Sequence, residues 1–281
     1  MTGVIDVGGG LRGIFGAGVF DYCLDKEIQF DYCVGISAGS ANVASYIGKQ
    51  RNRNYQFYME YSFRPQYMSF RNFLLKGSYI DLEYVYGGLS NSDGENPLNY
   101  EGIARSEKIM KIVALNALTG ETVYFDKRNI SQDDYRIFMA SSSIPVACKP
   151  YEVNGIPCYD GGLADPVPVR KAMEDGCDKV VVILTKPRDL VRTPDKDVRM
   201  ARFIRRKYKA VAGSMAMRYK KYNEGVALAK AYEKQGKALI IAPEDCCGMK
   251  TLTKSRESMQ KMYDQGYSSA ELIMPFLGSF I

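Results

Sequence analysis

Short apolar runs alternate with longer stretches of mixed polarity along most of the chain, and this alternation predicts strands followed by helices. The predicted strands are residues 3–7, 30–34, 111–116, 121–125, 179–185 and 237–243. The predicted helices are residues 14–26, 40–47, 133–143, 166–176 and 255–277. Because strands that alternate with helices pair in parallel, we expect an α/β fold with a largely parallel sheet.

Two hairpins interrupt this alternation. A Leu-Thr-Gly turn at residues 118–120 joins the strand at 111–116 to the strand at 121–125. Asn154-Gly155, the strongest short hairpin turn, lies between residues 150–153 and 156–159. Pro157 weakens the second of these strands, since proline cannot donate to a ladder. That hairpin leads directly to Asp160, Gly161 and Gly162, which places a carboxylate at the end of a strand.

The carboxy-terminal third has a different character. A charged loop with prolines at residues 188–197 precedes helices that carry many basic side chains, among them Arg202, Arg205, Arg206, Arg218, Lys220 and Lys221. A solvated helix face is the simpler interpretation, ahead of phospholipid or nucleic-acid contact. We predict one domain with two parts: residues 3–185 as its core, and residues 186–281 as a helical extension packed on it.

Composition limits the class of protein. The chain has 281 residues, of which 46% are hydrophobic and 25% charged, as expected for a globular protein with a sizeable core. We find no apolar stretch near the roughly 18 residues of a membrane span and no signal peptide, so we expect a cytoplasmic protein. The net charge of +6 allows peripheral contact with an anionic membrane surface, and we expect no nucleic-acid partner. Seven cysteines without metal-binding spacing favour reduced structural thiols and no metal site.

The absence of histidine restricts the possible catalytic mechanisms more than the overall composition does. With no histidine in the chain, Ser-His-Asp and Cys-His mechanisms are excluded, as is a histidine-ligated metal. Any nucleophilic serine in this chain would therefore need Asp, Glu, Lys or Tyr as its base.

The first strand runs into a glycine-rich loop, G-G-G-L-R-G at residues 8–13, which a helix follows. Free N–H groups at such a helix start can face an anion. Gly8, Gly10 and Gly13 also fit a dinucleotide motif, but that motif needs an acidic residue closing the second strand. Asp31 lies at the start of that strand instead, so the match is poor. An oxyanion hole uses the same donors without this requirement.

The second strand ends in G-I-S-A-G at residues 35–39, and a helix-like run follows. Strand, sharp turn and helix form the context of a nucleophile elbow, in which Ser37 would project from the turn. By themselves these five residues fit a nucleophile or an ordinary turn. For the carboxylate base, Asp160 and Asp165 compete.

Eleven of the 33 tyrosines and phenylalanines lie between residues 55 and 86, which is about a ninth of the chain. Core packing is the simpler explanation of this density. The functional alternative is a pocket or lid for an acyl chain.

The loop at Gly8–Gly13, the elbow at Gly35–Gly39 and Asp160-Gly161-Gly162 occur in an order that resembles the patatin-like phospholipase family, in its compact bacterial form. A-S-S-S-I-P at residues 140–145 also resembles that family's sequence before its Asp motif. The resemblance covers residues 3–185 and implies a three-layer α/β/α fold with a central, mostly parallel sheet.

The resemblance also implies roles for individual residues. Ser37 would be the nucleophile and Asp160 its base. The oxyanion hole would come from the loop, chiefly from Gly9 and Gly10. The loop residues involved would be Gly8, Gly9, Gly10, Arg12 and Gly13. The supporting elbow and Asp-motif residues would be Gly35, Ala38, Gly39, Gly161 and Gly162. The basic side chain of Arg12 would either orient the loop or attract a phosphate.

We therefore expect a serine acyl hydrolase of the lipase or phospholipase A type that cleaves carboxylic esters of lipids through an acyl-enzyme, with no metal or organic cofactor. The alternatives are a non-catalytic lipid-binding or regulatory protein on the same fold and, less favoured, a dinucleotide-binding enzyme. The sequence leaves open the substrate, the positional preference and the oligomeric state.

Overall fold

A mixed eight-stranded sheet forms the centre of the computed structural model, which describes residues 1–278 and, within that range, every side chain except those of residues 195 and 196. The strands are β1 Thr2–Asp6, β2 Tyr32–Ile36, β3 Ile109–Asn116, β4 Thr122–Phe125, β5 Tyr151–Val153, β6 Ile156–Asp160, β7 Lys179–Ile183 and β8 Ala238–Ile241. Their order across the sheet is β5-β6-β3-β2-β1-β7-β8, and β4 pairs with β3 off this path.

The middle of the sheet is parallel and one side is antiparallel. Strands β3, β2, β1, β7 and β8 pair in parallel in that order. Strands β4 and β6 pair antiparallel to β3, and β5 pairs antiparallel to β6. The predicted α/β fold with a mostly parallel central sheet is therefore confirmed.

Helices cover both faces of this sheet. The helices are α1 Ile14–Asp25, α2 Ala38–Ile47, α3 Arg53–Met59, α4 Phe70–Lys76, α5 Tyr100–Arg105, α6 Arg136–Ser142, α7 Val169–Glu174, α8 Asp195–Ile204, α9 Lys209–Lys234, α10 Arg256–Ser269 and α11 Ile273–Leu277. Five short 3₁₀ segments, at Gly10–Gly13, Tyr61–Phe63, Lys127–Asn129, Gly161–Leu163 and Ala270–Leu272, and a π-helical segment, Glu83–Leu89, complete the described elements.

Alternation along the strands divides the core into two layers. In β1 the side chain of Val4 packs in one layer and that of Ile5 in the other, because successive strand residues point to opposite faces. Helices α1, α2, α6 and α10 contribute to the layer of Val4. Helices α7, α8 and α9 contribute to the layer of Ile5. The result is the predicted sandwich of helices, sheet and helices.

Residues 186–278 contribute one strand to the sheet and helices to both of its faces. Strand β8 lies at the edge of the sheet, α9 packs on one face, and α10 packs against α1 on the other. The contact of α10 with α1 is close: a Cβ on Gly266 would lie 2.0 Å from the carbonyl oxygen of Phe15. The division between residues 3–185 and 186–281 stays a prediction, and residues 279–281 of it lie outside the described part of the chain.

The predicted helix over residues 255–277 is instead divided into α10, the 3₁₀ turn Ala270–Leu272 and α11. Pro275 has no N–H group to donate to the carbonyl four residues earlier, at Glu271. This missing hydrogen bond accounts for the tighter 3₁₀ turn at that point. Between residues 1 and 278, no helix has both the length and the apolar character needed to cross a membrane.

Candidate active site

The register of three neighbouring strands brings the elbow and the Asp motif together. Ile36, the last residue of β2, pairs with Val113 of β3. The next β3 residue, Ala114, pairs with Asp160 at the end of β6. Ser37 and Asp160 are 123 positions apart in the chain and therefore reach the same edge of the sheet at the same level.

Ser37 occupies a strained turn between β2 and α2. Its φ of 55° and ψ of −129° are unusual for any residue with a side chain. The Ser37 N–H donates to Ser141 Oγ at 2.9 Å, and the Ser40 hydroxyl donates to the Ser37 carbonyl at 2.6 Å. This is the predicted geometry of strand, sharp turn and helix, and it presents the Ser37 side chain to the cavities at the sheet edge.

Asp160 is buried and faces Ser37. Burial raises the pKa of Asp160, while the positive charge of Arg218, the nearby Ser37 hydroxyl and the N–H of Gly162 act in the opposite direction. The Gly162 N–H donates to Asp160 Oδ1 at 2.7 Å. A carboxylate with a raised pKa beside a serine hydroxyl has the properties of a general base.

The serine-rich segment before the Asp motif connects these two residues. Ser141 accepts the N–H of Ser37, as described above, and the carbonyl of Ser143 accepts the N–H of Asp160 at 2.9 Å. The segment therefore fixes the positions of the elbow and the carboxylate relative to each other. Residues 140–145 carried part of the family resemblance, and these two hydrogen bonds give that resemblance a structural reason.

A buried carboxylate supports the glycine loop from below. Asp6, the last residue of β1, accepts the N–H of Gly8 at 2.8 Å and the side-chain amide of Asn42 at 2.8 Å. Burial raises the pKa of Asp6 to about 6, although both hydrogen bonds act against that rise. Gly8 has a φ of +62°, and a Cβ there would lie 2.1 Å from the carbonyl of Ile36. The loop and the elbow thus pack together without room for a side chain.

The next two glycines have the free donors of the predicted oxyanion hole. Within residues 1–278, the N–H groups of Gly9 and Gly10 have no backbone acceptor, and both residues line the cleft beside Ser37. The N–H of Gly8 is already bound to Asp6. Of the loop residues that the sequence suggested, Gly9 and Gly10 therefore keep N–H groups free of backbone acceptors at the cleft, and their role in an oxyanion hole stays a prediction.

Arg12 is buried and holds the loop to neighbouring elements. Its Nε donates to the carbonyl of Thr185 at 3.1 Å, and its Nη1 lies 3.4 Å from Thr251 Oγ1. The Thr185 hydroxyl in turn donates to the carbonyl of Gly8. These contacts support the loop-orienting role for Arg12. The guanidinium also lines the cleft, so it contributes positive charge there.

Most of the remaining motif glycines pack inside the fold rather than face the cavities. Gly35, Gly39 and Gly161 allow close backbone approach: an added Cβ would lie 2.5 Å from Ser40 Cα, 2.3 Å from the Asp6 carbonyl and 2.1 Å from the Val113 carbonyl, respectively. The Gly13 carbonyl accepts the Asn42 amide at 2.8 Å. Ala38 starts α2 and lines the apolar cavity.

Two other acidic residues that the sequence analysis considered lie away from Ser37: Asp165 as an alternative base, and Asp31 as the acidic residue of a dinucleotide motif. Asp165 accepts a hydrogen bond from the Tyr124 hydroxyl at 2.6 Å and does not line either cavity beside Ser37. Asp31 accepts the N–H of Thr2 at 2.7 Å, at the amino ends of β1 and β2. The glycine loop follows the carboxyl end of β1, so Asp31 is at the wrong edge of the sheet for a dinucleotide site.

An apolar cavity extends from one side of Ser37. Its walls come mainly from the aromatic segment, residues 55–86, with contributions from α2 and α6. The lining side chains from this segment are Phe57, Tyr58, Tyr67, Ile80, Leu82, Val85 and Tyr86. Tyr58, Tyr67 and Tyr86 belong to the buried core, as core packing predicts, and they also line this cavity. Its use as a pocket for an acyl chain stays a prediction.

An open cleft with a volume of about 450 Å³ lies on the other side of Ser37. We call it the basic cleft. It is lined by Gly9, Gly10 and Asp160 and by the charged side chains Arg12, Lys186, Arg192, Asp197, Arg218 and Lys250. Four of these six charged residues come from the carboxy-terminal part of the chain beyond residue 190.

Sequence reasoning missed several residues of this site. Asp6 carried a usable signal, because a charged residue at the end of an otherwise apolar strand is unusual. Ser141 was recognised only as part of a motif. Lys186, Arg192 and Arg218 had no signal that separated them from the solvated basic residues around them, since their common position depends on the path of the chain after β7.

Comparison with known proteins agrees with the motifs. A family model described as "Patatin-like phospholipase" matches residues 7–173, and a model described as a domain of unknown function, DUF6363, matches residues 208–281. The chain is 31% identical over 202 residues to the uncharacterized protein YjjU of Escherichia coli strain K12. That alignment covers 70% of this chain and 55% of YjjU, so the chain spans about half the length of this curated relative.

Among solved structures, the chain is similar to VipD from Legionella pneumophila, with a TM-score of 0.50 and 14% identity. The match covers 97% of this chain and 66% of the VipD chain. At this level of identity the similarity concerns the fold alone.

Proposed function

Because this chain belongs to the patatin-like phospholipase family, we propose that it is a serine acyl hydrolase that cleaves carboxylic esters of lipids through an acyl-enzyme. The observation that carries the proposal is the strained elbow that places Ser37 against the buried carboxylate of Asp160, in a chain without histidine. A direct pair of serine and aspartate supplies both nucleophile and base.

The proposed reaction has two steps. Ser37 Oγ attacks the acyl carbonyl carbon while Asp160 accepts the hydroxyl proton, and the carbonyl oxygen becomes an oxyanion that the N–H groups of Gly9 and Gly10 stabilise. When this intermediate collapses, the C–O bond to the alcohol breaks and Asp160 returns its proton to the alcohol oxygen. Water then attacks the acyl-enzyme in the same way, with Asp160 as base, and releases the fatty acid. These steps require no metal or organic cofactor.

We further propose that the apolar cavity holds the acyl chain. It begins at Ser37, and most of its lining side chains are aromatic or aliphatic, as a site for an alkyl chain requires. The polar side chains in its lining are those of Arg53, Asn54, Ser90, Asn96 and Ser142. The experiment that tests the proposed function compares hydrolysis of short-chain nitrophenyl esters by the wild-type protein and by Ser37→Ala. We expect the variant to lose at least 1000-fold in kcat/KM, a typical loss for a nucleophile.

Undiminished turnover by Ser37→Ala would overturn the proposal. If neither protein hydrolyses any ester in a panel of lipids, but both bind lipid, the non-catalytic lipid-binding function would replace it. Product analysis of the same panel by mass spectrometry identifies which acyl position is cleaved.

We also propose that the protein meets its substrate at an anionic lipid surface. Helix α4 leaves four apolar side chains exposed: Phe70, Phe73, Leu74 and Leu75. It lies in the chain between Tyr67 and Ile80, which both line the apolar cavity, and Met68 pairs with Ile80 to close this excursion. Arg71 on the same helix adds positive charge, which favours anionic headgroups, whereas Lys76 is paired with the buried carboxylate of Asp81.

A further inference from the structure

The two cavities meet at Ser37 and differ in chemistry. The apolar cavity and the basic cleft share Gly10, Ser37, Ile144 and Leu252 as lining residues. An ester bound at Ser37 with its acyl chain in the apolar cavity therefore directs its alcohol portion toward the basic cleft. The charges of that cleft decide which alcohols it accepts.

Positive charge in the basic cleft exceeds negative charge. Five basic side chains line it, against the carboxylates of Asp160 and Asp197. Asp197 lies 3.4 Å from Arg192, and Asp160 faces Ser37. Among the described side chains, those of Arg12, Lys186 and Arg218 have no carboxylate within 4 Å. The cleft therefore has unbalanced cations next to the reacting serine.

Two basic side chains of the cleft, those of Arg192 and Arg218, are held in place by hydrogen bonds and packing before any ligand binds. The backbone N–H and carbonyl of Arg192 bond to the side-chain amide of Asn223 at 2.9 and 3.0 Å, and its guanidinium lies 5.1 Å from the Tyr222 ring centroid. Arg218 Nε donates to the carbonyl of Gly162 at 3.1 Å. A site with preorganised cations loses little side-chain entropy when it binds an anion.

Lys186 follows Thr185, whose contacts with Gly8 and Arg12 anchor this point of the chain. Burial lowers the pKa of Lys186 to about 8, and the nearby charges of Arg192, Arg12 and Arg218 contribute to that decrease. Burial also lowers the pKa of Arg192 to about 10, with Arg218 adding to the effect. The positive charges thus destabilise one another, and a bound anion would relieve that repulsion.

We propose that Lys186, Arg192 and Arg218 form a subsite for a phosphate group on the alcohol portion of the ester, so that the enzyme prefers phosphate-bearing lipids over neutral acylglycerols. The proposal rests on the function proposed above. Arginine side chains bind phosphate oxygens through paired N–H groups, and lysine adds a point charge, which suits this set of residues. All three lie outside residues 7–173, so the carboxy-terminal part of the chain determines specificity.

The first experiment compares two substrates that differ only in the phosphate: a monoacylglycerol and the monoacylglycerol phosphate with the same acyl chain. We expect the wild-type protein to have the higher kcat/KM for the phosphate. In Lys186→Met/Arg192→Gln, the ratio of the two kcat/KM values should fall at least tenfold, mainly through KM for the phosphate. Arg205→Gln, an exposed position at the end of α8, is the charge control and should keep the wild-type ratio.

An unchanged ratio in the double variant, with a native circular dichroism spectrum, would overturn the subsite. Arg192→Lys keeps the charge and should retain most of the preference. If the double variant fails to fold, Lys186→Met alone should lower the ratio severalfold, and an unchanged ratio in that variant would be equally decisive.

A binding measurement separates this proposal from the hydrolase proposal. Calorimetric titration of Ser37→Ala with glycerol 3-phosphate, and separately with inorganic phosphate, should give binding that weakens with salt and is lost when Lys186→Met/Arg192→Gln is added. Phosphate binding by Ser37→Ala, together with no ester hydrolysis by the wild-type protein, would support the subsite and contradict the hydrolase proposal. Hydrolysis without phosphate binding would do the reverse. Tighter binding of inorganic phosphate than of glycerol 3-phosphate would indicate a site for the free anion rather than for a lipid headgroup.

Discussion

Ser37 carries the backbone strain of the site. Its φ of 55° with ψ of −129° lies in a region that glycine enters more easily than any other residue, and such strain costs about 1–3 kcal/mol. The turn persists because β2, α2 and the hydrogen bond to Ser141 determine its shape. The turn therefore lowers stability but directs the buried Ser37 hydroxyl into the two cavities.

This strain gives a prediction about stability. Ser37→Gly should be more stable than Ser37→Ala by about 1 kcal/mol, because glycine relieves the strain and alanine retains it. Both variants should be inactive. Urea denaturation of the two proteins measures the difference, and equal or reversed stabilities would show that the turn is unstrained.

The pKa of Asp160 gives a prediction about pH. Protonated Asp160 cannot act as a base, so kcat/KM should fall as the pH decreases through its pKa, which burial raises above the ordinary aspartate value. The positive charge of Arg218 opposes that rise. Arg218→Gln removes the charge, raises the pKa and should shift the acid limb of the profile to higher pH. Stopped assays of a neutral ester from pH 4 to 9 measure this shift.

A control accompanies the pH measurement. Arg205→Gln removes an equal charge from an exposed position and should leave the acid limb where it is. A limb that stays in place in Arg218→Gln, or shifts to lower pH, would contradict the assignment of Asp160 as the titrating base.

At the level of residues, short local motifs predicted Ser37 and Asp160, and the resemblance to the family favoured Asp160 over Asp165. It was not sufficient for Asp6, whose partners are Gly8 and Asn42, or for Arg218, which contacts the loop after Asp160. These roles depend on contacts across the fold, and no local pattern encodes them.

Among the elements, the glycine loop has the least freedom to vary. Gly8 combines a positive φ with a backbone carbonyl 2.1 Å from the position of a Cβ, whereas Gly155 has a φ of +77° and no atom within 4 Å of that position. The two glycines therefore differ in surroundings but share their backbone preference, so Gly155 is a matched control.

We expect Gly8→Ala to destabilise the protein by about 3 kcal/mol or more and to reduce kcat/KM at least 100-fold, because both the loop and the elbow must move. Gly155→Ala should cost about 1 kcal/mol and leave activity intact. Thermal unfolding and ester hydrolysis measure the two effects. A Gly8→Ala protein with the properties of Gly155→Ala would show that the loop is not rigid.

Helix α4 gives a prediction about the lipid surface. Leu74 is 69% exposed on this helix, and Leu272 is 57% exposed in the 3₁₀ turn Ala270–Leu272. The carbonyl of Phe276, four residues after Leu272, accepts a hydrogen bond from Lys179 at the start of β7, at the opposite edge of the sheet. If α4 enters the interface, Leu74→Ser should weaken binding to anionic vesicles about tenfold, the effect of losing one buried leucine side chain. Leu272→Ser should bind like wild type. Vesicle sedimentation decides between them, and equal binding by both variants would contradict docking through α4.

The strands of the sheet were more predictable than the short helices α3, α4 and α5 between β2 and β3. Strands β1, β7 and β8 and both hairpins follow from apolar runs and turn residues. The second strand was predicted two residues early, since Phe30 and Asp31 are not part of β2. Helices α3 and α4 were not predicted, because the aromatic segment has no regular helical spacing and its shape depends on packing over the cavity. The short helix α5, which lies beyond that segment, was not predicted either.

At the scale of the whole molecule, the site is assembled from both parts of the chain. The family region, residues 7–173, supplies Ser37, Asp160 and most of the apolar cavity. The part beyond β7 supplies cations of the basic cleft and the Thr251 contacts to the glycine loop, including a hydrogen bond from the Leu11 N–H to the Thr251 carbonyl at 2.8 Å. The sequence predicted this part as a helical extension and could not show that it reaches the site.

The central claim is that Asp160 activates Ser37. The most direct measurement is labelling of the folded protein with a fluorophosphonate probe, followed by peptide mass spectrometry, in wild type, Asp160→Asn and Asp165→Asn. We predict rapid labelling at Ser37 in wild type and in Asp165→Asn, because the Asp165 carboxylate accepts from Tyr124 and lines neither cavity beside Ser37. Labelling should be at least 100-fold slower in Asp160→Asn. Ser37 unlabelled in wild type, or labelled equally fast in Asp160→Asn, would contradict the claim.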